Sequence, residues 1–144
     1  MSKFNNFIAQ SFRIPQPTLT EQNLEDQFGR VFIVTGGYTG VGYKLTSILY
    51  QKHGTVYVAG RSEEKGAKAI DALKEEFPKS NGRLVFLKVD LADLTTIKGA
   101  AEEFMAKEDR LDVLTNNAGV MDPPVGSKTA QASTTGSSRS AQLG

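Results

Sequence analysis

The sequence contains no cysteine and no tryptophan, and a single histidine, His53. Without cysteine there are no disulfides, no thiolate catalysis and no cysteine–zinc site, and a reducing compartment is permitted. One histidine excludes most histidine-based metal centres. His53 stands just before Gly54, at an expected helix end, where a cation suits the negative pole of the helix dipole. Charge is nearly balanced, at a formal +1, which gives no reason to expect nucleic acid or an anionic membrane as partner. No apolar run approaches membrane-spanning length, and no long apolar core follows the first basic residues. Ser2 stands where myristoylation needs glycine. The expected location is therefore cytoplasmic.

What is present is an ordinary globular composition, 39% hydrophobic and 23% charged over 144 residues, enough for one domain. Residues 1–29 read as an N-terminal arm interrupted by Pro15 and Pro17. Within it Phe4, Ile8 and Phe12 recur at helical spacing, favouring an arm docked on the domain over a membrane-contacting helix. Residues 30–125 read as the folded unit, and the Ser/Thr/Gly-rich residues 126–144 as a flexible tail with little to bury.

Within 30–125, strand and helix signals alternate. Val31–Val34 is an uninterrupted apolar run, as for a parallel strand covered on both faces. Val41, Leu45, Ile48 and Leu49 mark a helical face that Gly54 ends. Residues 55–59 form a second strand. Ala67, Ile70, Leu73 and Phe77 mark a second helix, stopped by Pro78 with Asn81-Gly82 as the turn. Residues 84–89 form a third strand, Asp93 caps a third helix carrying Ile97, Ala100, Ala101 and Phe104, and residues 111–115 form a fourth strand. Strands separated by helix-length segments imply an α/β fold: a Rossmann-type parallel sheet with helices on both faces, the N-terminal half only, of about four strands.

The first strand runs into Thr35-Gly36-Gly37-Tyr38-Thr39-Gly40-Val41-Gly42. In such a turn one glycine permits the tight bend, another lets the backbone approach a pyrophosphate, and a third lets the helix pack on the strand. The following helix offers unpaired N–H groups to phosphates. A P-loop is excluded, because Tyr43 stands where its lysine must follow Gly42. At the end of the second strand, where an NAD-preferring fold places an acid, the chain runs Ala59-Gly60-Arg61-Ser62. Arg61 suits a 2′-phosphate, so the expected cofactor is NADP(H). Ser62 either caps the next helix or donates a further hydrogen bond, while Glu63 and Glu64 favour the helix N-terminus.

Thr35-Gly36-x-x-x-Gly40-x-Gly42, Asp90-Leu91 and Asp112-x-Leu114-x-Asn116-Asn117-Ala118-Gly119 together resemble the short-chain dehydrogenase/reductase family. The flanking text, Ala59-Gly60-Arg61 and Asn117-Ala118-Gly119-Val120-Met121, is most similar to its retinol-dehydrogenase-like branch. The resemblance covers roughly Gly29 to Gln131. It implies that Gly36, Tyr38, Thr39, Gly40, Val41 and Gly42 wrap the pyrophosphate, that Asp90 meets the adenine with Leu91 beside it, and that Asn117, Ala118 and Gly119 line the cofactor.

The family's Ser, Tyr and Lys, the last two as Tyr-x-x-x-Lys, lie downstream of Asn-Asn-Ala-Gly. Here the last tyrosine is Tyr57, and Lys128 is the only lysine beyond Gly119. Two readings follow. One is the NADP-binding part of an oxidoreductase, inactive as this chain. The other is a non-catalytic nucleotide- or partner-binding remnant of a shortened product, which the change of text near Ala132 favours. No fifth strand follows the fourth, so an uncovered sheet edge is expected to invite self-association.

Overall fold

The computed structural model describes residues 19–119. The helical spacing of Phe4, Ile8 and Phe12, the remainder of the folded unit from Val120 and the tail over 126–144 lie outside the described residues. Four strands and three helices alternate: β1 (Val31–Thr35), α1 (Gly40–Gln51), β2 (Thr55–Gly60), α2 (Glu63–Glu76), β3 (Arg83–Lys88), α3 (Leu94–Lys107) and β4 (Val113–Thr115).

The strands form one parallel sheet in the order β3-β2-β1-β4. Val31 is in register with Thr55, and Thr55 with Arg83; on the other side of β1, Phe32 is in register with Val113. The chain thus winds outward from β1 twice and then returns to β1's other edge. Crossovers of one hand require the third helix to lie on the opposite face from the first two. Two separate cores match that requirement. Phe32, Val34, Val56, Val58 and Leu84 pack with Leu49 and Tyr50 of α1 and Ile70 and Leu73 of α2. Val31, Tyr57, Ala59, Leu87 and Val89 pack with Ala100 and Phe104 of α3. β1, β2 and β3 each contribute alternate residues to the two cores, which is why these strands read as apolar runs.

The helical faces differ in phase from the sequence pattern. Val41 is 78% exposed. Ala67 and Ala101 also face outward, and α2 buries Gly66, Ala69, Ile70 and Leu73 instead. The cause in α2 is Gly66, whose Cα lies so close to Phe86 that a Cβ would meet its ring at 2.3 Å. Periodicity weighted by hydrophobicity does not see a glycine that packs.

The end of α1 also differs from expectation. His53, not Gly54, adopts the left-handed conformation, with φ 68°. The amide of His53 donates to the Tyr50 carbonyl and that of Gly54 to the Leu49 carbonyl, the paired bonds of a Schellman ending. Gly54 is required for another reason: a Cβ there would approach the Leu49 carbonyl and the Phe32 ring at about 3 Å. The His53 ring meets Asp26 at 3.3 Å, and the Gln27 amide donates to the Lys52 carbonyl at 2.7 Å. The described part of the arm is thereby fastened to the end of α1.

β4 is shorter than the sequence suggests, and its Val113 and Leu114 are exposed. It is clamped to β1 at its start, where the Asp112 amide donates to the Val31 carbonyl at 2.9 Å and the Asp112 carboxylate accepts the Val31 amide at 2.8 Å. Arg110 reaches the same carboxylate.

Candidate functional site

A cleft of about 540 Å³ opens at the C-terminal ends of the strands, between β1 and the segment after β4 on one side and the ends of β2 and β3 on the other. This is where the winding direction reverses, the place where open α/β sheets bind ligands.

The floor is built by Thr35, the last residue of β1 and nearly buried. Its hydroxyl donates to the Thr115 carbonyl at 3.2 Å. The same oxygen accepts the amides of Asn117 at 3.0 Å and Ala118 at 2.9 Å. The Asn117 side-chain amide returns a bond to the Thr35 carbonyl at 3.2 Å. The chain after β4 is thus laid across the end of β1 by one hydroxyl and one carboxamide. Sequence reading passed over Thr35 as part of the turn. Its signal was a strand-terminal hydroxyl followed by glycines.

Above it the turn works through its glycines. Gly36 and Gly40 have φ of 64° and 54°, conformations that favour glycine. The Gly36 amide donates to the Ala59 carbonyl at 2.7 Å, tying the turn to β2. A Cβ on Gly42 would meet the Gly36 carbonyl oxygen at 2.3 Å and the Asn117 amide nitrogen at 2.5 Å, so helix, turn and the post-β4 segment close on one another there. Gly40 is the opposite case, with nothing within 4 Å of where its Cβ would project, so its backbone can be approached.

The start of α1 differs from the other two helices. Ser62 caps α2 by accepting the Lys65 amide, and Asp93 caps α3 by accepting the Thr95 amide at 3.0 Å. Thr39, at the N-cap of α1, makes no side-chain cap, and no acid stands in the first turn. Leading N–H groups and the positive dipole end are left for an anion. An uncapped helix beside an approachable Gly40 fits a pyrophosphate, and the cleft has room for the group attached to it.

Of the residues singled out in the sequence, Gly36, Tyr38, Thr39, Arg61, Ser62, Asp90, Leu91, Asn117, Ala118 and Gly119 line this cleft. Gly40, Val41 and Gly42 do not line it; Gly40 holds the bend, Val41 points outward and Gly42 lies behind the turn. Asp90 is oriented by its own loop: its carboxylate accepts the Ala92 amide at 2.9 Å, and its backbone exchanges bonds with the Thr96 hydroxyl. Lys65, one helical turn beyond Arg61, also lines the cleft and was not singled out in the sequence. Tyr57 is remote from it, buried against Phe104, with its hydroxyl donating to Glu108 at 2.7 Å. Burial raises the Tyr57 phenol above its usual range. Among the described residues no cluster of ligands could hold a metal ion. No described helix is long and apolar enough to cross a membrane.

Comparison with known proteins agrees with this geometry. The short-chain dehydrogenase/reductase pkfC of Emericella nidulans is 57% identical over 115 residues, covering 80% of this chain and 37% of that protein. The NADP-bound C-domain of a bacterial malonyl-CoA reductase superposes with TM-score 0.62 at 29% identity, covering 70% of this chain and 16% of that one. L-Sorbose reductase from Gluconobacter frateurii, complexed with NADPH and L-sorbose, superposes with TM-score 0.58 at 25% identity, covering 66% of this chain and 36% of that one. The chain therefore spans well under half the length of the relatives it matches. The family model for short chain dehydrogenase matches residues 30–138, and the chain belongs to that family.

Proposed function

We propose that residues 30–125 are the NADP-binding half of a short-chain oxidoreductase, and that this chain holds the cofactor without turning it over. The observation that carries the reading is the uncapped N-terminus of α1 at Thr39, which with Gly36 lines a cleft that Arg61 also lines. Neighbours solved with NADP or NADPH support the choice of cofactor.

When bound, a nicotinamide dinucleotide supplies or accepts a hydride; this chain's residues hold and orient it. The first-turn amides of α1 take the pyrophosphate, with the Gly36–Gly42 turn shaping the approach. Arg61 takes the 2′-phosphate as a planar fork. Asp90, held by Ala92 and Thr96, and Leu91 line the adenine end. Asn117, Ala118 and Gly119 form the wall over β1. Proton transfer falls to a tyrosine in this family, and no tyrosine lies beyond Tyr57 here.

Self-association through β4 belongs to the same proposal, supported by exposed Val113 and Leu114 on a strand paired only with β1 among the described residues. Cytoplasmic residence is likewise proposed, on the sequence alone. Titration of the purified chain with NADPH and NADH, followed by ligand fluorescence, tests the reading. Tighter binding of NADPH is expected, with the preference erased in Arg61→Ala. Equal affinities would make Arg61 a solvated charge. Turnover of aldehydes or ketones, abolished by Gly36→Val, would overturn the inactive assignment.

A further inference from the structure

The end of α1 away from the cofactor cleft borders a second groove. Two adjoining cavities of about 530 and 400 Å³ share Gln51, His53, Glu76 and Phe77. Their apolar floor is Ile48 of α1 and Phe77 at the end of α2, both partly exposed. The walls are tied to one another. The Ser80 hydroxyl donates to the Tyr50 carbonyl at 2.5 Å, which joins the ends of α2 and α1. The third side is held by the Gln27 amide on the Lys52 carbonyl and by Asp26 on the His53 ring.

The chain enters the domain beside this groove. Residues 20–24 form a turn in which the Thr20 amide donates to the Asn23 side-chain oxygen at 2.5 Å and the Leu24 amide to the Thr20 carbonyl at 2.9 Å. Leu24 packs on the α1–α2 core, while Glu21 and Gln22 line the groove. The chain before Thr20 therefore leaves from the groove's edge, where Leu19 is 66% exposed. Residues 1–18 contain no acid; they carry Lys3 and Arg13, and the apolar residues Phe12 and Ile14 two positions apart.

We propose that residues 12–18 lie along this groove, with Phe12 and Ile14 seated on Ile48 and Phe77. Ile14 and Gln16 each precede a proline, which biases both to extended backbone. Residues two apart in such a backbone share a face, so Phe12 and Ile14 meet the same floor. The seven residues span roughly 20 Å at about 3.1 Å each. Lys44 to Gln51 on α1 spans about 10 Å, so the segment covers the floor and continues past Phe77. Arg13, between the two anchors, faces the rim, where among the described residues neither Glu21 nor Glu76 is in an ion pair. Lys44 and Lys52 border the same groove, so reach and apolar fit, not net charge, select the site. A second copy is the rival occupant, but the arm is tethered at the groove's edge, at an effective concentration of about millimolar that a free partner does not match. The inference concerns the end of α1 remote from the cleft and stands independently of the dinucleotide reading.

The chain has no cysteine of its own, so a nitroxide attached through Ser11→Cys reports one position. In the isotope-enriched full chain, amide signals of residues 47–53 and 77–80 should broaden, and those of α3 on the opposite face should stay sharp. Adding Phe12→Asp and Ile14→Asp should abolish the broadening, because each sets a carboxylate against an apolar floor. Broadening that survives both substitutions would come from the tether alone and would overturn the proposal. So would broadening shared equally with α3. Mixing spin-labelled, unenriched chain with enriched, unlabelled chain tests the rival: groove signals that broaden in the mixture put a second copy there, and the proposal falls.

Discussion

Replacing Thr35 with valine keeps the volume and the β-branched shape at the end of β1 while deleting one oxygen. That oxygen serves three backbone groups: the Asn117 and Ala118 amides and the Thr115 carbonyl. The Asn117 amide also lies 3.0 Å from the Thr115 carbonyl, so it keeps a second acceptor. The Ala118 amide loses the acceptor that holds it, and the Thr115 carbonyl loses a donor. With part-buried groups at about 1 kcal/mol each, and somewhat more for those left unsatisfied, Thr35→Val should cost about 2–3 kcal/mol. That is a large share of the roughly 5–15 kcal/mol typical of a domain. Thr35→Ser keeps the hydroxyl and loses one methyl, for about 1 kcal/mol. Urea unfolding of the three proteins gives the ordering, and amide hydrogen exchange gives the location. Exchange should accelerate at Asn117 and Ala118 in the valine variant before it changes in β2 or β3. If the serine and valine variants are equally destabilised, or exchange at Ala118 is unchanged, the hydroxyl is not what fastens the segment after β4.

Gly42→Ala drives a methyl into the Gly36 carbonyl and the Asn117 carboxamide, and should destabilise by about 1–3 kcal/mol or abolish folding, read by thermal melting. The Asp112 carboxyl is held below the usual range by Arg110 and by the Val31 amide. Its contribution is therefore complete above the unfolded value of about 4 and is lost as pH falls through the lowered folded value, so Asp112→Asn should flatten the acid limb of a stability–pH curve. Tyr57 shifts the other way, raised first by burial and also by Glu103, against the opposing pull of Arg83. Stability should fall as pH rises from about 10 through the raised value, and Tyr57→Phe should remove that alkaline loss while costing about 1 kcal/mol at neutral pH through the Glu108 bond.

The order of elements was legible because β1, β2 and β3 carry apolar residues to both faces of the sheet and each helix begins or ends at a cap, a glycine or a proline. Asp93 and Ser62 cap as local chemistry predicts, since both bonds are made within three residues. Val41 was misread because the position of the first turn of α1 that packs is Gly42, one residue on, which leaves Val41 facing outward. The exposure of Ala67 and the burial of Gly66 follow from Phe86, a partner twenty residues on. Most of the cleft could be anticipated from glycine spacing, Arg61 and Asn117. The role of Thr35 could not, because it depends on backbone brought close by the sheet and has no local pattern.

The two clamps on β4 also bear on the order of assembly. Val31 is in register with Thr55 across one β–α–β unit, but reaches Asp112 only after a separation of 81 residues. Closing that longer loop costs about 1 kcal/mol more chain entropy than closing the shorter one. The β1–β4 pairing, only three residues long, returns little to offset it before Asp112 and Thr35 are both engaged. β4 should therefore join late, after β1, β2 and β3 have formed. Substitutions at its clamps should then chiefly raise the unfolding rate and leave the refolding rate nearly unchanged.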